Sequence, residues 1–186
     1  MLKWEEYYYN NFIKNFILET LYSKYGKDFS DICILDTTVE DVWLDFYIEA
    51  VQATIVTSIS DYIPSPKKYI DYYNYDFVDR NLQENLGPFI KQYNVVHVLD
   101  SLSLELDDYV WQKIVENLCS YLKKDGFIVV SGDLQKTYIE DTFKHRSEGL
   151  WRAIANSCGC TISNFIKRPF KNVFDYPYDL LIIGKK

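Results

Sequence analysis

The stretch Asn94-Val95-Val96-His97-Val98-Leu99 decides the fold that we predict for this chain. It is an apolar run of strand length, which is typical of a strand buried on both faces of a parallel sheet. Apolar residues at helical spacing follow from Val110 to Leu122, and Phe127-Ile128-Val129-Val130-Ser131 forms a second apolar run. Strand, helix and strand in this order predict a parallel α/β unit.

The same alternation extends toward the amino terminus. Apolar residues spaced three and four apart predict a helix over residues 4–25, and Gly26 is placed to end it. Runs of apolar or β-branched residues predict strands at 31–36, 54–59 and within 69–77, and a second helical stretch at 43–51. Strands and helices therefore alternate through the first half as well.

Toward the carboxyl terminus, the sequence predicts a helix at 147–158 and closing strands at 161–166 and 179–183. No internal repeat or linker interrupts this order. We therefore expect a single domain over residues 1–186, with residues 1–26 as an amino-terminal helical segment. Its mainly parallel sheet should be covered by helices on both faces, with an antiparallel hairpin at the end.

Charge and hydropathy exclude several kinds of partner. The chain has 20 Lys and Arg against 27 Asp and Glu, a net charge of −7, which opposes long-range attraction to nucleic acid. The apolar start of the chain is interrupted by Lys14, Asn15 and Glu19, so it predicts neither a signal peptide nor a membrane span. We expect a cytoplasmic protein without membrane or nucleic-acid partners.

Cysteine and histidine residues predict no metal site. Cys33 and Cys119 lie in apolar runs and are expected to be reduced core residues, while Cys158-Gly-Cys160 lacks the second ligand pair that zinc requires. His97 lies inside a predicted strand and should be a hydrogen-bonded core residue, whereas His145 should lie on the surface. The chain also lacks the Gly-x-Ser-x-Gly elbow of many hydrolases.

Three stretches of the second half resemble the class I S-adenosylmethionine-dependent methyltransferases. Residues 93–100 resemble the fourth strand of that family, Leu118-Cys119-Ser120-Tyr121-Leu122-Lys123-Lys124-Asp125-Gly126 resembles its helix and turn before the fifth strand, and residues 178–184 resemble its seventh strand. The resemblance implies a doubly wound, Rossmann-like α/β fold. Its seven-stranded sheet would be mainly parallel with an antiparallel last strand, and its cofactor would be S-adenosylmethionine.

The resemblance also implies positions for the cofactor. Asp36 would end the first strand beside it, and Asp61 lies near the residue that takes the ribose hydroxyls at the end of the second strand. Asp76 resembles the acidic residue that meets the adenine amine, with Phe77 as a stacking neighbour. Asp100 would follow the fourth strand at the substrate cleft and is the candidate catalytic base.

The loop after the first predicted strand departs from the family pattern. Residues 37–42 contain no glycine, and Thr37-x-x-Glu40 has the spacing of a helix capping box. Two hypotheses therefore stay open: a methyltransferase that acts on a small molecule or peptide, or an inactive binding module or partner subunit of the same fold. The second predicts that Val39, Val42 and Trp43 fill the cofactor cleft. A third hypothesis is an enzyme that uses the cleft for another ligand.

Tyrosine clusters give the binding-module hypothesis a candidate surface. Tyr7-Tyr8-Tyr9 and the tyrosines of residues 69–76 are dense enough to form a protein-binding or sugar-binding face, because tyrosine combines an apolar ring with a polar tip. A homodimer interface near the first helix is the more specific form of this prediction.

Overall fold

The structure, a computed structural model, describes residues 3–27, 29, 31–37, 41–53, 55–60, 70–74, 93–99, 101–167 and 179–185. Its helices are α1 (Lys3–Tyr25), α2 (Asp41–Asp45), α3 (Asp108–Tyr121) and α4 (Glu148–Ser157), with a π-helical turn at Phe46–Ala50 and a 3₁₀ turn at Ser101–Leu104. Its strands are β1 (Cys33–Asp36), β2 (Ile55–Ser60), β3 (Ile70–Asn74), β4 (Tyr93–Leu99), β5 (Leu122–Gly132), β6 (Tyr138–Glu140), β7 (Phe143–His145), β8 (Cys160–Ile166) and β9 (Asp179–Lys185).

Seven of these strands form one sheet in the order β3-β2-β1-β4-β5-β9-β8. The pairs from β3 to β5 are parallel, and β9 runs antiparallel to both β5 and β8. The predicted doubly wound, mainly parallel α/β sheet with an antiparallel last strand is therefore confirmed. β6 and β7 form a separate hairpin.

Alternation along the central strands divides the core into two faces. Phe127 and Val129 of β5 pack with α1 and the α2 region, whereas Ile128 and Val130 point to the opposite side. We call the first side the α1 face and the second, which α3 and α4 cover, the α3 face. This two-sided burial explains why β4 and β5 are continuous apolar runs rather than alternating ones.

Most predicted elements are found within one or two residues of their expected bounds. Gly26 ends α1 with a φ of +70°, and its amide donates to the Tyr22 carbonyl, as predicted for a helix C-terminus. No helix in the described part of the chain is long and apolar enough to cross a membrane. The β6–β7 hairpin was not predicted, because two three-residue strands carry too little pattern.

Two local predictions need correction. The second helical stretch is a short α-helix that continues as the π turn, and the expected turn at Asp125-Gly126 lies inside β5. There the pairing with β4 shifts, since five residues of β5 span the distance covered by two of β4. A Cβ atom at Gly126 would lie 2.7 Å from the Tyr93 carbonyl oxygen, so only glycine fits this crowded shift.

Candidate functional site

The strand order reverses between β1 and β4, because β2 and β3 extend the sheet to one side and β4 and β5 to the other. In open α/β sheets, ligands bind beyond the carboxyl ends of the strands at such a switch point. Asp36, the last residue of β1, lies opposite His97 of β4 in the parallel register. Both side chains are fully buried. The switch point therefore places an acid and an imidazole side by side.

Asp36, Tyr47 and His97, together with Thr37, form what we call the switch-point cluster. The Tyr47 hydroxyl lies 2.7 Å from His97 Nδ1, and Asp36 Oδ1 lies 3.6 Å from the same nitrogen. Burial, and then the negative charge of Asp36, raises the pKa of Tyr47 well above its usual value. The phenol therefore keeps its proton, so it can be the donor of its hydrogen bond with His97 Nδ1. Nε2 of His97 has no hydrogen-bond partner among the described residues.

The π turn brings Tyr47 under His97. The Val51 amide donates to the Phe46 carbonyl at 3.1 Å, a bond that spans five residues instead of four. Phe46 and Tyr47, the first two residues of the π turn, are both buried in the core. Gln52 then leaves the turn with a φ of +54°, which is uncommon for a residue with a side chain.

Thr37 fastens the chain directly after β1. Its amide and its hydroxyl both donate to the His97 carbonyl oxygen, at 3.1 and 2.9 Å. The amide that follows the first strand is thus already engaged by β4. Glu40, the second member of the predicted capping box, lies outside the described residues, so that part of the prediction stays a prediction.

A second polar group, the hairpin cluster, consists of Asp108, Asp133, Tyr138, Lys144 and Arg146 and lies at the carboxyl end of β5. The Tyr138 hydroxyl donates to Asp133 Oδ2 at 3.0 Å, which ties the first strand of the hairpin to the segment after β5. Lys144 Nζ lies 2.8 Å from Asp108 Oδ1 at the start of α3. The hairpin is therefore fastened at both of its strands.

Arg146 is the centre of the hairpin cluster, although it is only 3% exposed. Its Nε donates to Asp108 Oδ1 at 3.1 Å, and its Nη1 to the Lys144 carbonyl at 3.2 Å. Its guanidinium carbon lies 4.8 Å from the ring centre of Trp111, in cation–π geometry. Burial lowers the pKa of Arg146, and the hydrogen bond that Arg146 donates to Asp108 opposes that shift.

Beneath the hairpin, the α3 face contains a cavity of about 20 Å³. Its lining includes Val98 of β4, Ser131 of β5, Arg146, and the edge-to-face pair of Trp111 and Trp151, whose ring centres are 5.1 Å apart. A space of this size holds about one water molecule. Among the described residues, Lys144, His145 and Arg146 form the hairpin side of this space.

The structure brings some of the predicted site residues together and leaves others outside its description. Asp36 ends β1 as predicted, and His97 is a hydrogen-bonded core residue, while the cofactor contact of Asp36 stays a prediction. Asp61, Asp76, Phe77 and Asp100 lie outside the described residues. These four positions therefore stay predictions.

The filled-cleft prediction stays a prediction. Trp43 is fully buried and meets His97 edge to face at 4.4 Å, but Val42 is 41% exposed and Val39 lies outside the described residues. The tyrosine surface also divides: Tyr8 is 53% exposed, whereas Tyr9 is buried. Its hydroxyl donates to the Asp179 carbonyl, so Tyr9 belongs to the core rather than to a surface.

Sequence reasoning missed Tyr47 and Arg146. Tyr47 carries an apolar helical pattern that predicts burial but gives no sign of a contact with His97, which is 50 residues away. Arg146 sits beside Lys144 and His145 in a charged stretch, a pattern that favours the surface. His145 itself is half-buried and stacks on Tyr138 at 4.6 Å, so its predicted surface position is only partly right.

Comparison with known proteins identifies the fold. No protein-family model and no curated protein sequence matches the chain. A solved S-adenosylmethionine-dependent methyltransferase from Mesorhizobium loti superimposes with a TM-score of 0.62 at 13% identity, over 83% of this chain and 91% of its own. The 1,6-didemethyltoxoflavin N1-methyltransferase of Burkholderia thailandensis, solved with S-adenosylhomocysteine, gives 0.61 at 11% identity, over 83% and 71%.

A third solved structure, the [4+2]-cyclase SpnF, gives a TM-score of 0.59 at 10% identity, over 91% of this chain and 79% of its own. At these identities the likeness is one of fold. The chain thus has the fold of class I S-adenosylmethionine-dependent methyltransferases, as its strand order independently indicates. The cyclase shows that proteins with this fold are not restricted to methyl transfer.

Proposed function

We propose that the chain is a methyltransferase-like protein that binds S-adenosylmethionine at the switch point and acts on a small molecule or peptide. The observation that carries the proposal is the strand order with its reversed β9, in which Asp36 ends β1 opposite His97 beside the reversal of strand order. In the proposal, Asp61 takes the ribose hydroxyls, Asp76 and Phe77 meet the adenine, and Asp100 is the base that faces the acceptor.

The groups at the switch point suit a cofactor without phosphate. A dinucleotide needs free backbone amides and close-approaching glycines after the first strand. Here residues 37–42 contain no glycine, and the Thr37 amide already donates to His97. Asp36 adds negative charge, which attracts cations. S-adenosylmethionine carries a sulfonium, an ammonium and a carboxylate but no phosphate, and its sulfonium supplies the methyl group for transfer to a nucleophile.

The same contacts predict weak binding. Asp36 is fully buried and Thr37 is fastened to β4, so the cofactor gains no glycine cradle and few free polar groups from this segment. We expect a dissociation constant on the order of 100 μM, or about −5.5 kcal/mol. The net charge of −7 supports a small or peptidic acceptor rather than a nucleic acid.

The alternative is a binding module of the same fold, and a surface near the hairpin favours it. Leu106, Tyr109, Ile139 and Phe143 are 41–68% exposed, and they lie on the hairpin and on the segment that Lys144 joins to it. Exposed large apolar side chains are typical of interaction surfaces, although Ile139 and Phe143 lie on opposite faces of the hairpin, because Ile139 pairs with Lys144 and Phe143 with Glu140. A partner subunit, which includes a second copy of the chain, is the occupant that this alternative predicts.

Calorimetric titration with S-adenosylmethionine and with S-adenosylhomocysteine tests the proposal. We expect saturable heat in wild type and at least tenfold weaker binding in Asp36→Asn, which keeps the shape of the side chain but removes its charge. No heat at millimolar cofactor would reject cofactor binding and leave the binding module.

The matched control is Asp179→Asn. Asp179 is as deeply buried as Asp36, but its carboxylate accepts from the Leu134 amide at 3.0 Å beyond the end of β5. Both variants lose one buried charge, so a general loss of stability should affect them similarly. Only Asp36→Asn should lower the affinity for the cofactor. Equal loss of affinity in both variants would show that Asp36 acts through stability alone.

A further inference from the structure

The ammonium group of Lys14 lies against two aromatic rings on the α1 face. Its Nζ is 5.5 Å from the ring centre of Trp43 and 5.6 Å from that of Phe46, both within the range of cation–π contacts. The two rings meet edge to face, with their centres 6.2 Å apart. We call Trp43 and Phe46 the aromatic pair. One cation of α1 is therefore shared by two rings of the α2 region.

These ring contacts leave the N–H groups of Lys14 unused. In the part of the chain that the structure describes, Lys14 makes no hydrogen bond or ion pair, and the charge of Asp45 acts on it from a longer distance. Lys123 and Lys144 differ, because their ammonium groups donate to an amide oxygen and to a carboxylate. Methyl groups can therefore replace the hydrogens on Lys14 Nζ without breaking any described bond.

The surroundings of Lys14 favour a methylated ammonium over an unmodified one. The side chain is half-buried, and burial lowers the pKa of Lys14, while the charge of Asp45 opposes that shift. An unmodified ammonium is strongly hydrated and loses water here, whereas methylation keeps the charge and reduces the need for water. Aromatic side chains bind methylated ammonium groups with the faces of their rings. The lowered pKa also increases the share of neutral amine, which is the form that accepts a methyl group.

The aromatic pair adjoins the switch-point cluster. The Trp43 ring lies 4.4 Å from the His97 ring on one side and 5.5 Å from Lys14 Nζ on the other. A single indole ring therefore separates the Lys14 amine from the cluster at which the proposed function binds its cofactor. The amine and the proposed methyl donor belong to the same region of the molecule.

We propose that Lys14 is a methylation site of this chain and that the aromatic pair holds the methylated ammonium. The methyl donor is the S-adenosylmethionine of the proposed function, on which this inference rests. The neutral Lys14 Nζ attacks the methyl carbon of the sulfonium, the bond from that carbon to sulfur breaks, and its electron pair stays on sulfur as S-adenosylhomocysteine leaves. The nitrogen gains the positive charge that sulfur loses. Release of a proton to water then returns the amine to its neutral form.

The test is incubation of the purified full chain with S-adenosylmethionine, then tryptic digestion and mass spectrometry. Cleavage after lysine places Lys14 at the end of the peptide of residues 4–14, and the next peptide covers residues 15–24. Trypsin cuts poorly after a methylated lysine. We therefore expect a joined peptide of residues 4–24 that is heavier by whole methylene masses. Lys14→Arg should abolish this product.

Lys24 is the matched control, because it lies on the same helix but contacts a single ring among the described residues. Its Nζ is 5.9 Å from the ring centre of Phe127, and its side chain is exposed. Lys24 should gain no methyl group. Phe46→Leu keeps an apolar side chain but removes one ring of the aromatic pair, and it should slow the methylation of Lys14 about fivefold. Equal methylation of Lys14 and Lys24 would overturn the proposal.

A second measurement examines the aromatic pair without the cofactor. Reductive methylation with isotope-labelled formaldehyde and a borane converts lysines into dimethyl-lysines that nuclear magnetic resonance detects. The signal that Lys14→Arg removes should be shifted upfield by the rings of Trp43 and Phe46. A Lys14 signal at the position of exposed dimethyl-lysines would overturn the role of the aromatic pair.

Calorimetry separates failure of this inference from failure of the proposed function. Saturable binding of S-adenosylmethionine by a chain whose Lys14 stays unmodified would overturn the methylation site and leave the proposed function intact. Absence of both binding and methylation would overturn both. Binding together with methylation of Lys14 is the result that we expect.

Discussion

The switch-point cluster and the hairpin cluster lie at the carboxyl edge of the same sheet but on opposite faces, and they are held by different forces. In the first, a phenol, an imidazole and a carboxylate are fully buried and contact one another across β1, β4 and the π turn. In the second, two cations converge on Asp108, whose side chain is 65% exposed. The first cluster is part of the core, and the second holds the β6–β7 hairpin on the opposite face of the sheet.

This difference determines how each cluster should respond to change. A buried hydrogen bond that loses one partner leaves a polar atom without compensation, whatever the solvent conditions. An ion pair with a half-exposed member is weakened by salt and by protonation. Substitutions in the two clusters should therefore lower the unfolding free energy by different amounts. Only the ion pairs of the hairpin cluster should make that free energy depend on acid pH.

The largest effect is expected for Arg146→Ala. The substitution removes the bonds to Asp108 and to the carbonyls of Leu102 and Lys144, and it leaves Trp111 without its cation–π partner. We expect a loss of about 3 kcal/mol of unfolding free energy, measured by urea denaturation. Arg152→Ala is the control, because Arg152 is half-exposed and, among the described residues, pairs with Glu148 along α4, a contact worth about 0.5 kcal/mol. Equal losses would mean that Arg146 does not hold the hairpin.

The second prediction tests the switch-point cluster through Tyr47→Phe. The substitution preserves the ring but removes the hydroxyl, so His97 Nδ1 loses a bond of 2.7 Å inside the core. We expect destabilisation of about 1.5 kcal/mol. Tyr109→Phe removes the same hydroxyl from a side chain that is 68% exposed, and it should change the unfolding free energy by less than about 0.5 kcal/mol. A Tyr47→Phe variant as stable as wild type would show that the contact with His97 is not stabilising.

The two clusters also differ in how much of each could be predicted from the sequence. The apolar runs of β4, β5 and β9 establish the sheet, and with it the position of Asp36, because a strand buried on both faces has few alternatives. The fold resemblance adds the strand order and the switch point. These features depend on short-range patterns, which a single sequence contains.

The contacts within the clusters depend on long-range placement, which those patterns do not encode. Tyr47 meets His97 from a π turn, and no spacing of apolar residues distinguishes that turn from an α-helix. Arg146 is buried because the 3₁₀ turn, α3 and the hairpin enclose it. Because its neighbours in sequence are charged, the local sequence pattern predicts that Arg146 is exposed.

The third prediction concerns pH and the ion pairs of the hairpin cluster. The hydrogen bond from Lys144, and then that from Arg146, lowers the pKa of Asp108 below its usual value. Its contribution to stability is therefore complete above the pKa of the unfolded chain, near pH 4, and is lost as the pH falls through the lower folded value. Asp108→Asn should remove this part of the acid dependence and cost about 0.5 kcal/mol at neutral pH. An unchanged acid profile in the variant would contradict the assignment.

The smallest effects are expected at two residues of positive φ, one beside each cluster. Gln52 leaves the π turn at +54°, and Asp141 lies in the turn between β6 and β7 at +51°. Glycine adopts such angles without strain, whereas a residue with a side chain is strained there. The strain is smaller for aspartate than for glutamine, because the short carboxylate of aspartate can hydrogen-bond locally. We expect Gln52→Gly to raise the unfolding free energy by about 0.5 kcal/mol, and Asp141→Gly to change it by less. A larger gain in unfolding free energy from Asp141→Gly than from Gln52→Gly would mean that the backbone is more strained in the hairpin than in the π turn.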